Sequence, residues 1–127
     1  MSLIKQLEEF CYKKVPYQAG TCLLEEGQFT DEVYILASGT VRVTAGQVII
    51  GDFSKPGDSF GEMAVILSQK VCATVVAQTD CEFYVLKDLE NYLTKNPKQC
   101  FEMLKLAFKR IKKMNLGVNI MYEHINV

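Results

Sequence analysis

Phe60-Gly61-Glu62-Met63-Ala64, followed after six residues by Val71-Cys72-Ala73-Thr74-Val75, is the most informative part of this 127-residue chain. The first segment places a glycine directly before a short run that is compatible with a helix, and the second is typical of a strand. Both segments lie within a longer block, residues 17–87, in which short apolar runs alternate with glycine-containing turns. The surroundings of the two segments therefore predict a sheet-rich domain with one short helix inside it.

The block from residue 17 to residue 87 predicts a small antiparallel barrel or jelly roll. Its apolar runs are rich in β-branched and aromatic residues, as strands are, and they cover residues 33–36, 40–44, 48–50, 72–76 and 82–86. Glycines recur between the runs, at Gly27, Gly39, Gly46, Gly51 and Gly57. Short strands separated by glycine turns favour an antiparallel arrangement, because such turns connect neighbouring strands directly.

Helical patterns flank this block on both sides. Before it, apolar residues have helical spacing and predict a short helix, at Leu3, Ile4, Leu7, Phe10 and Cys11. After it, Asn96 is a suitable cap, Pro97 suits a first helical position and Gly117 suits a terminating one. We therefore expect one domain over residues 1–127, with an N-terminal helix in 1–16, a β-roll in 17–87 that contains the central segment 60–75, and helices in 88–127.

The last helix has an apolar face that allows two interpretations. A spacing of three and four residues, interrupted by Asn115, resembles a coiled-coil seam and includes Phe101, Leu104, Phe108, Ile111 and Val118. Further apolar residues widen the face beyond a narrow seam, at Cys100, Met103, Ala107 and Met114. The helix can pack on its own barrel, on a second copy or partner helix, or on both. Its basic residues are expected on a solvated face, at Lys105, Lys109, Arg110, Lys112 and Lys113.

Composition excludes several function classes. The 14 basic and 15 acidic side chains nearly balance, so the basic surface that nucleic-acid binding requires is not expected. Charges or glycines interrupt every apolar run before it reaches the length of a membrane span, and the first residues do not form a secretory signal. We therefore expect a cytoplasmic protein that binds neither nucleic acid nor membranes.

Catalytic and metal sites are not indicated by the sequence. The one histidine, His124, has no C-x-x-C pair to accompany it, and the cysteines are scattered at Cys11, Cys22, Cys72, Cys81 and Cys100. Each cysteine is expected to be a buried, reduced thiol. The acidic pairs at residues 25–26 and 31–32 lack a nucleophile or histidine and are expected in solvated turns. The expectation is a protein without catalytic residues, metal ligands or a cofactor.

Five short segments, in order along the chain, resemble the successive signatures of cyclic-nucleotide-binding domains of the catabolite activator and kinase regulatory subunit type. They cover residues 24–28, 31–36, 38–43, 57–62 and 73–75. Asn96-Pro97 and the following helix are similar to the hinge and C-helix of that family. Five segments in the family's order make chance agreement improbable. The resemblance implies an eight-stranded antiparallel β-roll with an N-terminal helix, a short cassette helix and a C-terminal helix.

The resemblance also implies a binding site for cyclic AMP or cyclic GMP. Its residues, carried over from the family pattern, are Gly61, Glu62, Met63, Ala64, Val71, Cys72 and Ala73. In that pattern Gly61 allows a close backbone approach, Glu62 accepts a hydrogen bond from the ribose 2′-hydroxyl, and an arginine at position 71 holds the cyclic phosphate. This chain has Val71 at that position, so the phosphate lacks its usual partner.

Two functions remain open at this point. The first is a non-catalytic regulatory module that binds cyclic nucleotides weakly, binds another ligand, or acts as an interaction protein. The second is a working cyclic-nucleotide sensor in which Lys70 or another group replaces the arginine. Alternatively, Glu62 only caps its helix and Val71 only packs in the barrel. Residues 118–127 are too few for an effector domain. The regulatory signal is therefore expected to pass to a separate protein, to a second copy or to another part of a longer chain.

Overall fold

The computed structural model describes residues 4–5, which are helical, and residues 12–114. Within residues 12–114 the chain forms eight strands: β1 Lys14–Tyr17, β2 Cys22–Leu24, β3 Val33–Ser38, β4 Val41–Ala45, β5 Val48–Phe53, β6 Ser59–Phe60, β7 Thr74–Ala77 and β8 Cys81–Leu86. The same range contains three helices: α1 Glu62–Ile66, α2 Leu89–Lys95 and α3 Pro97–Met114.

The strands form two four-stranded sheets in the orders β1-β8-β3-β6 and β2-β7-β4-β5. Every strand pair is antiparallel. The inner faces of the two sheets share one apolar cluster, to which β3 and β8 contribute Leu36 and Phe83 and the second sheet contributes Val41 and Val75. The predicted jelly roll with flanking helices is therefore confirmed.

Strands β3 and β8 are buried on both faces. Alternate residues of a strand point to opposite sides of the sheet, so Leu36 and Phe83 enter the roll while Ile35 and Tyr84 lie on the outer face. Helices α2 and α3 cover that outer face and contribute Leu89, Tyr92 and Met103 to a second apolar cluster. The helices thus pack on the roll through a second apolar cluster, separate from the one inside it.

The helix boundaries follow local signals in the sequence. The Asp88 carboxylate accepts a hydrogen bond from the backbone N–H of Asn91 and so caps α2. Helix α3 begins at Pro97, as predicted. Asn96, which was predicted to cap α3, directly precedes that helix, and its carbonyl accepts hydrogen bonds from the backbone N–H groups of Gln99 and Cys100. Its side-chain amide donates to the Tyr92 carbonyl, so the same residue also ends α2. Within the described ranges, no helix combines the length and apolar character that a membrane span needs.

The β-roll begins earlier than predicted. Residues 14–17, most of which were assigned to an N-terminal helix, form strand β1 and pair with β8. Strand β1 lies at the edge of its sheet, where Pro16 is tolerated because an edge strand has no partner on one side. Other residues of the predicted helices lie outside the described residues, among them Leu3, Leu7, Phe10, Cys11, Gly117 and Val118.

The prediction of buried thiols is wrong for two cysteines. Cys81 is buried and Cys100 is half-buried, whereas Cys22 and Cys72 are exposed. Cys22 begins β2, which is an edge strand, and Cys72 lies in the loop before β7. Both positions therefore lack the neighbours on two sides that bury a small apolar side chain.

Candidate functional site

The segment from Phe60 to Val75, called the cassette below, connects β6 to β7 through α1. Gly61 begins it with a backbone φ of 94°, in the left-handed region that favours glycine. A Cβ atom at position 61 would lie 2.9 Å from the backbone oxygen of Glu32, closer than such atoms normally approach. Only glycine therefore lets α1 start this close to the loop before β3.

Glu62, the first residue of α1, turns its carboxylate inward. Only 18% of its side chain is exposed, and Oε1 accepts a hydrogen bond of 3.0 Å from Nη1 of Arg110 on α3. Burial raises the pKa of Glu62, and the positive charge of Arg110 opposes this without cancelling it. The second oxygen, Oε2, is buried and has no hydrogen-bond partner within the described part of the chain.

Arg110 also lies against two aromatic rings. Its guanidinium carbon is 5.2 Å from the ring centroid of Phe60 and 6.0 Å from that of Phe53. The two rings contact each other edge to face at 5.9 Å. Such distances allow cation–π attraction, which adds to the ion pair. The Glu62 carboxylate and the rings of Phe53 and Phe60 thus together contact the Arg110 side chain of α3.

The prediction that Arg110 lies on a solvated face is wrong. Arg110 follows the buried Met103 by seven residues, which is close to two helical turns, so both side chains lie on the same face of α3. Lys105, Lys109 and Lys112 lie on other faces and are exposed, as predicted. The sequence signal that identifies Arg110 is therefore its helical phase relative to Met103.

Val71 is part of the core. Its side chain is 7% exposed and belongs to the apolar cluster inside the roll. The backbone N–H of Val71 donates to Gln28 and its carbonyl accepts from Gly27, so the loop before β3 and the cassette hold each other. This is the packing interpretation of Val71 that the sequence left open.

The neighbouring Lys70 is exposed at the surface. Its Nζ lies 5.8 Å from the ring centroid of Phe29, a side chain that is itself 72% exposed. The ion pairs found among the described residues do not include Lys70. The cation that pairs with Glu62 in the cassette is therefore Arg110 of α3, and not the neighbouring Lys70.

The other predicted cassette residues have different environments. Ala64 is buried and Ala73 packs against the core cluster, whereas Met63 and Cys72 are exposed. The structure therefore brings Gly61, Glu62 and Ala64 to the inner side of the cassette and leaves Met63 and Cys72 at the surface. An open cavity of about 410 Å³ lies beside Ala64, between α1 and the start of α2, and Glu62 does not line it.

The predicted seam of α3 faces away from the roll. Its four described members are largely exposed, namely Phe101 at 59%, Leu104 at 50%, Phe108 at 66% and Ile111 at 45%. Gln99 and Met103, on another face, are buried, and Met103 packs with residues of β3, β8 and α2. Packing of α3 on its own roll is therefore confirmed for one face, whereas contact of the seam with a second copy or a partner helix stays a prediction that its exposed apolar surface allows.

Metal ligation finds no support in the described side chains. Within residues 4–5 and 12–114, no group of three His, Cys, Asp or Glu side chains is arranged to hold a metal ion. His124 lies outside the described residues.

Comparison with known proteins identifies the family. The family model for the cyclic nucleotide-binding domain matches residues 14–95. The chain is 31% identical over 67 residues to a cAMP-dependent protein kinase regulatory subunit of Mucor circinelloides f. lusitanicus, a match that covers 53% of this chain and 16% of the relative. It is 38% identical over 74 residues to the Pycsar effector protein XpPycTIR of Xanthomonas perforans, covering 57% of this chain and 24% of the relative.

Solved structures share the fold. The catabolite activator protein of Thermus thermophilus superposes with a TM-score of 0.77 at 21% identity, covering 93% of this chain and 58% of that one. PKAR CBD2 with bound Sp-2Cl-cAMPS superposes with a TM-score of 0.70 at 24% identity, covering 94% of this chain and 80% of that one. At most 24% of the length of the two curated relatives is spanned by this chain. Because the family model matches more than half of its residues, the chain belongs to the cyclic nucleotide-binding domain family.

Proposed function

We propose that this chain is a non-catalytic regulatory module in which recognition of a cyclic nucleotide is weakened or altered. The observation that carries the proposal is the buried aliphatic side chain of Val71, at the position where the family pattern has a phosphate-binding arginine. Removing one partner of a buried charge pair costs roughly 2 to 5 kcal/mol. That loss corresponds to a weakening of roughly thirty-fold to several thousand-fold.

The remaining cassette residues keep the roles that the family pattern gives them. Glu62 is the proposed acceptor for the ribose 2′-hydroxyl, and Gly61 and Ala64 bring the backbone of α1 close to the ligand. Two facts support this assignment: Glu62 is turned inward, and its Oε2 atom is a buried acceptor without a partner in the described chain. A cyclic nucleotide that still binds should therefore bind more weakly once its 2′-hydroxyl is removed.

Isothermal titration of cyclic AMP and cyclic GMP tests this function, with each 2′-deoxy nucleotide as the matched control ligand. We expect weak or undetectable binding by the parent protein and tighter binding by Val71→Arg, which restores a cation to the cassette. Circular dichroism must show that this variant is folded, since an unpaired guanidinium in the core is costly. If neither protein binds, the family's ligand class does not apply to this chain.

The alternative function is a working cyclic-nucleotide sensor with a substitute for the arginine. Micromolar binding by the parent protein would favour it over our proposal. Lys70 is the candidate substitute nearest in the chain, although its ammonium lies over the exposed Phe29 ring. Lys70→Gln should then abolish most of the binding, while unchanged affinity would exclude Lys70.

We further propose that the output of the module passes through the exposed seam of α3. Phe101, Leu104, Phe108 and Ile111 repeat at the spacing of a coiled coil and are largely exposed. The proposed occupant is a helix of a second copy or of a separate protein. Charged substitution at Leu104 and Ile111 should convert a dimer to a monomer in light scattering, whereas Lys98→Glu, outside the seam, should not. A monomeric parent protein would exclude the homodimer.

A further inference from the structure

Strand β5 lies at the edge of its sheet, and its first half is exposed apolar surface. Val48, Ile49 and Ile50 are 67%, 56% and 48% exposed. An edge strand presents one row of backbone N–H and C=O groups that can pair with a strand of another chain. Apolar side chains beside that row add buried surface to the backbone hydrogen bonds. Strand β5 therefore has the two properties that favour pairing between chains.

The other edge strands of the two sheets have features that prevent such pairing. Proteins protect sheet edges with very short strands, with lysine or proline, or with bulges. Strand β1 contains Lys14 and Pro16, and β2 and β6 have only three and two residues. Strand β5 has six residues without lysine or proline, and its one charged residue, Asp52, is paired with Arg42 on β4. Among these four edges, pairing with another chain is therefore expected at β5.

A bulge in β5 places its two isoleucines on one face of the sheet. In the register with β4, Gly51 lies opposite Val43 and Ile49 lies opposite Thr44, so Ile50 is the additional residue. Val43 is buried inside the roll, which puts Gly51 on the inner face and Thr44 on the outer face. Ile49, opposite Thr44, and Ile50, next to Gly51, therefore both point outward. Although a bulge usually protects an edge, this one enlarges the exposed apolar surface.

Charge favours a second copy of this chain as the partner of β5. Residues 45–51 contain no charged side chain, and the whole chain has a net charge of −1, so two copies repel each other only weakly. Antiparallel pairing about a two-fold axis between Ile49 and Ile50 puts each Ile49 opposite the Ile50 of the second copy. Gln47 then lies opposite Asp52 of the second copy, and like charges do not face each other along the strand. The edge is therefore complementary to itself.

We propose that β5 is a self-association surface, through which two copies of this chain pair their β5 edges antiparallel and join two sheets into one. The contact uses neither the cassette nor the seam of α3, so it is independent of the proposed ligand and of the proposed output. Because one strand from each copy forms only a small interface, the association is weak, with an expected dissociation constant of about 0.1 to 1 mM.

Sedimentation equilibrium from about 10 μM to about 1 mM tests the association. The starting protein carries Leu104→Glu and Ile111→Glu, so that the seam of α3 does not contribute. Ile49→Lys should raise the dissociation constant at least about tenfold, because two ammonium groups would then lie close together at the contact. Ile66→Lys is the matched control, since Ile66 is an isoleucine of similar exposure, 58%, on α1.

Two results of this experiment would overturn the proposal. The first is a starting protein that stays monomeric at the highest concentration. The second is an association that Ile49→Lys leaves unchanged, or that Ile66→Lys weakens equally, because the contact would then lie elsewhere. Circular dichroism confirms that the lysine variants are folded, which is expected since both isoleucines are exposed.

Hydrogen exchange detected by mass spectrometry locates the contact. Amides at the free edge of β5 exchange from the monomer, so in the starting protein their exchange should slow by about two- to fivefold from the lowest to the highest concentration. Strand β2, the opposite edge of the same sheet, is the internal control and should exchange at the same rate at both concentrations. Slowing in β2 without slowing in β5 would overturn the assignment of the contact to β5.

Discussion

At the scale of single residues, Gly39 is constrained both by its backbone and by its neighbours. It has a φ of 96°, and a Cβ atom there would lie 2.5 Å from the Asp80 carbonyl oxygen and 2.6 Å from the Cys81 sulfur. Gly39→Ala should therefore lower the free energy of unfolding by about 2 kcal/mol or more, through backbone strain and a contact that requires the β8 strand to shift. Urea denaturation measures this loss.

Gly20 supplies the matched control for that experiment. Its φ of 92° is nearly the same, but a Cβ atom at position 20 has no neighbour within 4 Å. Gly20→Ala should lower the free energy of unfolding by only about 1 kcal/mol, the backbone contribution alone. Equal losses in the two variants would mean that the crowding at Gly39 relaxes without cost.

The carboxyl group of Glu62 should make stability depend on pH. Burial raises its pKa, so between the unfolded and the folded pKa the folded protein binds more protons than the unfolded chain. The contribution of Glu62 to stability is therefore most favourable below this window and declines as pH rises through it. Relative to the parent protein, Glu62→Gln should become more stable as pH rises above about 4, the ordinary range of a glutamate carboxyl group.

Urea denaturation at several pH values measures that difference. Glu102→Gln is the control for the loss of a negative charge, because Glu102 is an exposed carboxylate paired with Lys105 at 3.4 Å. A parent protein that instead gains stability over Glu62→Gln as pH rises would show that Arg110 outweighs burial at this carboxylate.

At the scale of secondary-structure elements, α3 has two faces with different energetic roles. Met103 is buried in the outer core, whereas the adjacent Leu104 is half-exposed. Met103→Ala should lower the free energy of unfolding by about 2 to 4 kcal/mol, while Leu104→Ala should change it by less than about 0.5 kcal/mol in the monomer. Thermal or urea unfolding at low protein concentration compares them, and similar losses would contradict the assignment of faces.

The sequence predicted the elements whose pattern is long enough to recognise. Strands β3, β4, β5 and β8 contain five or six residues with many β-branched and aromatic side chains, and all four were predicted. Strands β2 and β6, with three and two residues, are too short to establish an alternating pattern. Pro16 obscured β1, because proline disfavours strands except at a sheet edge, and edge position is a property of the assembled sheet.

The candidate site was only partly predictable. The family pattern led to Glu62 and Val71, whose positions in the chain are fixed by short motifs. Arg110 could not be found in that way, since its contact with Glu62 depends on how α3 packs over the roll. A basic residue on a helix is usually solvated, and only the helical phase shared with Met103 distinguishes Arg110 from Lys109.

At the scale of the whole molecule, the two sheets are not equivalent. The sheet that contains β3 and β8 has an apolar cluster on each face, with Leu36 and Phe83 inside and Ile35 and Tyr84 outside. In the other sheet, β4 buries Val41 and Val43 toward the roll, and the edge strand β5 exposes its first residues. Burial on two faces protects backbone hydrogen bonds more than burial on one.

Amide hydrogen exchange followed by NMR should therefore be slowest in β3 and β8, intermediate in β4 and fastest in β5. This order of exchange rates depends on the apolar cluster under α2 and α3 as well as on the cluster inside the roll. A substitution in one cluster should therefore change it selectively. Met103→Ala weakens only the outer cluster and should bring the exchange of β3 and β8 closer to that of β4. If β4 amides outlast those of β3 and β8 in the parent protein, the helices do not stabilise the sheet that they cover.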